Sequence, residues 1–189
     1  MPESDLALLT RAAWSAAETA TRYIGGAMNV RQKAADGSPV TDADMAVNAV
    51  LEELLRSARP DYGWLSEESA DDPARLGAER VFIVDPIDGT RSFIEGSDSW
   101  AHSLAVAQDG EITAAVVFLP MRERFYSAAL GEGTRLNDAT VHASGVATLE
   151  TAQVLATKPS MQPDHWRSPV PALQRSHRPS IAYRLGLVA

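Results

Sequence analysis

Apolar residues at helical spacing predict two amphipathic helices in the first 60 residues. The first apolar stripe follows a capping residue, Ser4, and ends at Gly25-Gly26. The second begins at Thr41 and ends at Arg59-Pro60. The two stripes consist of Leu6, Leu9, Ala13, Ala16, Ala17, Ala20 and Ile24, and of Val47, Val50, Leu51 and Leu54. Residues 32–40 between them are predicted to form a loop, with turn chemistry at 36–39.

Short apolar runs bounded by turn residues predict strands further along the chain. The central run is 81–84, which we expect to stop at Asp85-Pro86 because proline cannot donate to a ladder. A shorter strand at 64–66 precedes it. Hydrophobic runs at 103–107 and 112–119 flank a strong hairpin signal at 108–111. Further strands at 124–130 and 134–136 complete an antiparallel meander, and 151–156 adds another strand.

The last part of the chain is rich in proline. Residues 159–179 hold five of the eleven prolines and are predicted to be mostly loop, with one helix near Ala172. Ser180 is expected to cap a final helix over 181–189, whose buried face would be Ile181, Leu185 and Val188. Helices mixed with strands in this order indicate an α+β or α/β fold.

The composition of the chain argues against several classes of protein. The 189 residues include no cysteine, which excludes disulfides and thiolate chemistry and fits the cytoplasm. A net charge of -8 argues against a nucleic-acid polymer as partner. No apolar run is long enough to span a membrane, and the acidic start does not resemble a signal peptide.

Acidic residues concentrate around the central strand. Residues 61–95 hold nine acids against three arginines. Such a cluster is usually a solvated face, but acids at strand ends also suit a site completed by bound cations. Glu67, Asp85 and Asp88, with main-chain carbonyls, form an all-oxygen set that suits magnesium, manganese or calcium.

Several residues near this cluster have two interpretations. Asp44 stands at capping-box spacing from Thr41, so it either caps the second helix or faces the site, and the two roles are compatible. Only one of Glu67 and Glu68 should face a shared site if the backbone there is extended. For Lys33, a solvated loop residue is the preferred interpretation, slightly ahead of a role at the site. His102 is interpreted as a packed or solvated histidine, because no second histidine lies at ligand spacing.

The turn after the central strand adds phosphate chemistry. Thr90 is expected to cap a short helix that starts near Arg91, leaving free amides at Gly89 and Thr90 to hold a phosphate oxygen. Two divalent ions at the acids could activate a water and stabilise a leaving oxygen, with Thr90 and Asp44 as partners of that water. No P-loop or dinucleotide fingerprint is present.

Three ordered motifs carry a resemblance to a known family. The segment 85–90, Asp-Pro-Ile-Asp-Gly-Thr, resembles the signature of the inositol monophosphatase superfamily. Glu67-Glu68-Ser69 resembles its acidic doublet, and 40–44 its earlier Thr/Asp motif. The resemblance implies a layered αβαβα sandwich and Mg²⁺-dependent, Li⁺-sensitive hydrolysis of a small phosphorylated metabolite, often by a homodimer.

The resemblance also implies roles for individual residues. Glu67, Asp85 and the Ile87 carbonyl would hold the first metal, and Asp85 and Asp88 would share the second. Asp88, Gly89 and Thr90 would bind the substrate phosphate. Thr90, Asp44 and Glu67 would serve catalysis with two or three Mg²⁺ ions, for which Mn²⁺ could substitute.

The chain departs from the family pattern near its end. The Trp-Asp motif that completes the second metal site is missing, since none of the four tryptophans precedes an aspartate. We therefore expect an N-terminal α+β domain over 1–140, the start of an incomplete α/β domain over 141–189, and little or no activity from this chain alone. Residues 33–41 and 65–68 also resemble 3'(2'),5'-bisphosphate nucleotidases, which act on 3'-phosphoadenosine 5'-phosphate. A non-catalytic metal-binding protein and a purely structural domain are the remaining alternatives.

Overall fold

Seven strands form the central sheet of the computed structural model, which describes residues 3–34 and 37–189. In spatial order they are β3 (Gly63–Ser66), β4 (Arg80–Asp88), β5 (Ala101–Gln108), β6 (Glu111–Leu119), β7 (Arg124–Ala129), β8 (Gly133–Leu136) and β9 (Ala139–Val141). β3 pairs with β4 in parallel, and all other neighbours are antiparallel. The predicted meander is confirmed, and β9 is an additional strand.

Two long helices cover one face of this sheet. Helix α1 (Asp5–Thr21) is capped by Ser4 and helix α2 (Asp42–Ala58) by Thr41, as the sequence predicts. Their apolar stripes pack with Phe82, Val84, Leu104, Val106 and Val116 in the main core. Helix α1 ends before Ile24, which is 39% exposed and not part of the buried stripe.

The predicted loop between these helices contains a small hairpin. β1 (Val30–Gln32) pairs antiparallel with β2 (Pro39–Thr41). Asp36, part of the predicted turn, lies outside the described residues. The hairpin brings Lys33 and the start of α2 to the same end of the sheet as the acidic turn.

The opposite face of the sheet carries a short helix, α4 (Ile181–Gly186). Ala182 and Tyr183 pack with Ala101, Leu119 and Tyr126 in a second core. The predicted buried face is wrong: Ile181, Leu185 and Val188 are 59%, 67% and 62% exposed. Gly186 lies so close to Tyr126 that an added Cβ would lie 3.0 Å from its ring. The face of α4 that packs on the sheet is therefore the one that carries Ala182, Tyr183 and Gly186.

The segment before α4 contains a separate strand pair. β10 (Gln153–Leu155) confirms the strand predicted there, and it pairs in parallel with β11 (Gln174–Ser176). No α-helix forms near Ala172, where the structure has coil. A helical layer, a mixed sheet and a further helix confirm the predicted layered α+β class, while the domain division at 140/141 stays a prediction.

None of the helices in the described part of the chain has the length and apolar character needed to cross a bilayer.

Candidate metal and phosphate site

The end of β4 is irregular, and this irregularity builds the site. The strand does not stop at Asp85-Pro86 as predicted but continues to Asp88. Asp85 pairs with Ser103 and Asp88 with Ala101, so three steps along β4 match two along β5. Such an extra residue is a β-bulge, which bends a strand and redirects its side chains. Proline is tolerated here because the bulge interrupts the ladder.

Gly89 ends the strand in the left-handed region, with φ of 98°. A short helix, α3 (Thr90–Ile94), begins directly after it. Thr90 is therefore the first helical residue and not the predicted cap. Its hydroxyl is free to donate elsewhere, and its Oγ1 lies 3.2 Å from both Asp44 Oδ1 and the Ile87 carbonyl oxygen.

Asp44 caps α2, as predicted, and also contacts Thr90. One carboxylate oxygen accepts from the Thr41 amide (2.8 Å) and hydroxyl, which completes the capping box of α2. The other oxygen accepts from Thr90. Burial raises the pKa of Asp44, and the hydrogen bonds from Thr41 and Thr90 oppose that shift.

Both glutamates of the acidic doublet contact the same lysine. Lys33 Nζ lies 3.1 Å from Glu67 Oε1 and 2.7 Å from Glu68 Oε1. Only Glu67 lines the cleft described below, which agrees with the expectation that one of the two faces a shared site, although both lie in a turn after β3 and not on extended backbone. Burial raises the pKa of Glu68 to about 7, against the lowering effect of Lys33. Lys33 is thus a half-buried, ion-paired residue, contrary to its interpretation as a solvated one.

Asp85 lies where its charged form is unfavourable. Its Oδ1 is buried and accepts no hydrogen bond from the described residues. Burial, followed by the charges of Glu67, Asp88 and Asp44, raises the pKa of Asp85 to about 8. A buried carboxylate oxygen without a donor is costly, and a bound cation would relieve both the desolvation and the repulsion. The donor chemistry therefore fits a hard divalent ion.

Asp88 is held by the distant helix α4. Its Oδ2 accepts from the Ser180 hydroxyl and from the Ala182 amide at 2.7 Å. Sequence reasoning identified Ser180 as a cap but missed this contact, which joins residues 92 positions apart. Among residues 3–34 and 37–189, no three carboxylates or histidines converge as a ready metal-ligand group. Glu67 Oε1 is paired with Lys33, and Asp88 Oδ2 accepts from Ser180 and Ala182, so an ion at this site would either share these carboxylates with those partners or displace them.

The predicted residues share one open cleft of about 520 Å³. Those that line it are Glu67, Asp85, Ile87, Asp88, Gly89 and Thr90, with Lys33 beside them, while Asp44 lies behind Thr90. His177, Ile181 and Arg184 form a further wall that the sequence did not indicate. A larger groove of about 1010 Å³, beside Trp14 and Phe125, holds none of the predicted site residues.

Comparison with known proteins gives consistent results. The model of the inositol monophosphatase family matches residues 1–185. An inositol-1-monophosphatase of Rhizobium meliloti is 37% identical over 134 residues, which is 70% of this chain and 50% of the relative. A histidinol-phosphatase of Mycobacterium tuberculosis is 39% identical over 134 residues, with the same coverage. The chain thus spans about half the length of these relatives.

Solved structures share the fold. The extragenic suppressor protein SuhB of Bartonella henselae superposes with a TM-score of 0.83 at 26% identity, covering 96% of this chain and 72% of that chain. An IMPase/NADP phosphatase, crystallised with Mg²⁺ and phosphate, has a TM-score of 0.79 at 18% identity, covering 93% and 67%. The latter likeness concerns the fold alone.

Proposed function

This chain belongs to the inositol monophosphatase family, and from that premise we propose that its protein is a divalent-metal-dependent phosphomonoesterase. The observation that carries the proposal is the buried Asp85 oxygen, which has no hydrogen-bond partner among the described residues, beside the Gly89 turn and the Thr90–Asp44 pair. Asp85, Gly89 and Thr90 line one cleft, which supports a site where acids would bind a cation while amides and a hydroxyl face the phosphate.

The residues divide the chemistry among them. Glu67, Asp85, the Ile87 carbonyl and Asp88 would hold Mg²⁺, which supplies charge neutralisation and an acidified water when bound. The amides of Gly89 and Thr90 would bind the phosphate oxygens. Asp44 orients the Thr90 hydroxyl, and this pair would receive and direct the proton of the attacking water.

An inositol-monophosphate-like ester is our first candidate substrate, supported by the family match and the Rhizobium relative. Histidinol phosphate is the second, because the histidinol-phosphatase relative is equally similar over the same share of the chain. The bisphosphate nucleotidase hypothesis rests only on local motifs. Li⁺ inhibition, the number of ions, a homodimer and a cytoplasmic location are further parts of the proposal.

Phosphate release tests this function. Inositol 1-phosphate, histidinol phosphate and 3'-phosphoadenosine 5'-phosphate would be compared with Mg²⁺, and then with added Li⁺. The assay would use the 189-residue chain and the complete reading frame of its gene, each with a matched Asp85→Asn variant. Li⁺-sensitive release from one ester, lost in the Asp85→Asn variant, is expected from the complete reading frame, and little or no release from the 189-residue chain alone. Mg²⁺ binding without release from any ester by either form would instead support the non-catalytic alternative.

A further inference from the structure

His102 is fully buried in β5, next to the bulge of β4. Its Nδ1 lies 2.5 Å from the carbonyl oxygen of Pro86. A carbonyl oxygen can only accept, so Nδ1 must carry the proton of the neutral ring. The prediction that His102 is a packed histidine and not a metal ligand is consistent with this contact, but the contact gives the residue more than a packing role.

The position of this hydrogen bond is specific to the bulge. His102 lies between Ser103 and Ala101, the two β5 residues that pair with Asp85 and Asp88, and it has no ladder partner on β4. Its side chain supplies the donor that the interrupted ladder does not. Pro86 is itself buried, so its carbonyl oxygen needs such a donor to avoid a desolvation cost.

The chemistry of the other ring nitrogen supports a dedicated role. Nε2 is buried and has no hydrogen-bond partner among the described residues. The rings of Trp100 and Phe118 are its aromatic neighbours, with centroids 5.3 Å and 6.5 Å from the centroid of the His102 ring. An apolar residue would fill this position without leaving a polar atom unpaired, so packing alone does not account for a histidine.

The peptide whose carbonyl His102 holds leads directly into Ile87. The Ile87 carbonyl contacts Thr90 Oγ1, and Ile87 lines the cleft together with Asp85 and Asp88. We propose that His102 is a positioning residue, whose Nδ1–H clamps the bulge so that Asp85, the Ile87 carbonyl and Asp88 keep the positions from which they would bind the proposed metal ions. This inference rests on the proposed function, because it assigns His102 to the same metal site.

Three variants separate clamping from packing. His102→Asn keeps an N–H donor near the position of Nδ1, His102→Gln moves the donor toward the position of Nε2, and His102→Leu has none. Mg²⁺ and Mn²⁺ affinities of the 189-residue chain would be measured by calorimetry, and folding by circular dichroism and urea unfolding. We expect about tenfold weaker metal binding for His102→Leu and His102→Gln, equivalent to about 1.4 kcal/mol, and affinity within threefold of the parent for His102→Asn.

The outcomes distinguish the two proposals. A parent chain that binds neither ion would overturn the proposed metal site itself. A parent chain that binds the ions, with folded His102→Leu and His102→Gln variants of unchanged affinity, would overturn the clamp alone. Loss of affinity in all three folded variants would also contradict it, because the donor at the Nδ1 position would then have no effect. If His102→Leu fails to fold, the metal affinities of His102→Asn and His102→Gln still test the clamp, and equal affinities in these two variants would contradict it.

Discussion

The Thr90 hydroxyl donates to Asp44 across 3.2 Å and thereby joins the start of α3 to the start of α2. The two residues are 46 positions apart. Each lies in the first turn of its helix, where unpaired amides favour negative charge. This contact therefore places a hydroxyl and a buried carboxylate beside the proposed phosphate position.

Removing the Thr90 hydroxyl should impair turnover more than substrate binding. Thr90→Val keeps the shape of the side chain but cannot accept or relay a proton, so we expect kcat to fall by about 100-fold or more. KM should change little. Thr90→Ser keeps the hydroxyl and is the matched control, with kcat within tenfold of the parent. Steady-state phosphate release by the protein of the complete reading frame measures both values, and equal kcat in Thr90→Val and the parent would contradict the assignment.

Asp85→Asn should have opposite effects with and without metal. Because the folded-state pKa of Asp85 is raised to about 8, the metal-free fold loses stability as pH rises from about 4 to 8. At pH 8.5 the variant should therefore be more stable by at least about 1 kcal/mol. Mg²⁺ at 100 times its Kd should stabilise the parent by about 2.7 kcal/mol and the variant far less.

Thermal unfolding with and without Mg²⁺ checks this inversion. Asp61→Asn is a suitable control, because Asp61 is exposed and lies in the same acidic segment. It should keep the full Mg²⁺ response. A metal response in Asp85→Asn as large as in the parent would remove Asp85 from the site.

Lys33→Met should destabilise the metal-free protein in a pH-dependent way. The substitution leaves the Glu68 side chain, only 4% exposed, without its cation. We expect a loss of about 2 kcal/mol at pH 8. The loss should shrink below pH 7, where Glu68 is protonated and the ion pair no longer contributes. Urea unfolding at pH 8 and pH 5.5 gives the comparison, with Lys33→Arg as the charge-preserving control. A loss that is the same at both pH values would mean that packing, not charge, is involved.

His102 should make the fold sensitive to mild acid. Burial lowers its pKa to about 4 in the folded state, although the hydrogen bond to Pro86 opposes this. The unfolded chain therefore binds a proton first, and His102 removes stability as pH falls from about 6.5 to 4, by about 3 kcal/mol in total. Asp85 and Glu68 act with the opposite sign over part of this range. The difference in unfolding free energy between the parent and His102→Asn isolates the histidine, and its independence of pH would contradict the assignment.

Gly89→Ala should be more harmful than the same change at another left-handed glycine. An added Cβ at Gly89 would lie 3.3 Å from the Ser99 carbonyl oxygen, whereas Gly96, at φ of 68°, has no heavy atom within 4 Å. Both substitutions cost about 1–2 kcal/mol of backbone strain. Gly89→Ala should cost about 1 kcal/mol more, and it should also weaken inhibition by inorganic phosphate. Equal losses of unfolding free energy in the two variants would show that the backbone at Ser99 moves away from the added Cβ at little cost.

Local signals predicted local features well. Ser4 and Thr41 were correctly identified as helix caps, because a cap depends on residues within one turn. The hairpin at 108–111 was predicted for the same reason, and Asp109 and Gly110 both adopt positive φ there. The acids at the strand end lie in one cleft, as expected, since two of them belong to the end of the same strand.

Several features that the sequence did not indicate depend on distant neighbours. Periodicity aligned Ile181 with Leu185, but only Tyr126, far away in the chain, decides that Gly186 faces the sheet. The two glutamates face one lysine because the β1–β2 hairpin brings Lys33 to their turn. Nothing within reach of Asp88 in the sequence indicates Ser180.

The hydrogen bonds between Asp88 and the start of α4 couple ligand binding at the cleft to the docking of that helix. Closing a loop of 92 residues costs only about 0.6 kcal/mol more entropy than closing one of 46, so the contact to Ser180 is nearly as accessible as that between Thr90 and Asp44. Thermodynamic linkage then runs in both directions. Any ligand that takes Asp88 away from Ser180 loosens the docking of α4, and any partner that presses α4 onto the sheet holds Asp88 back from the ligand.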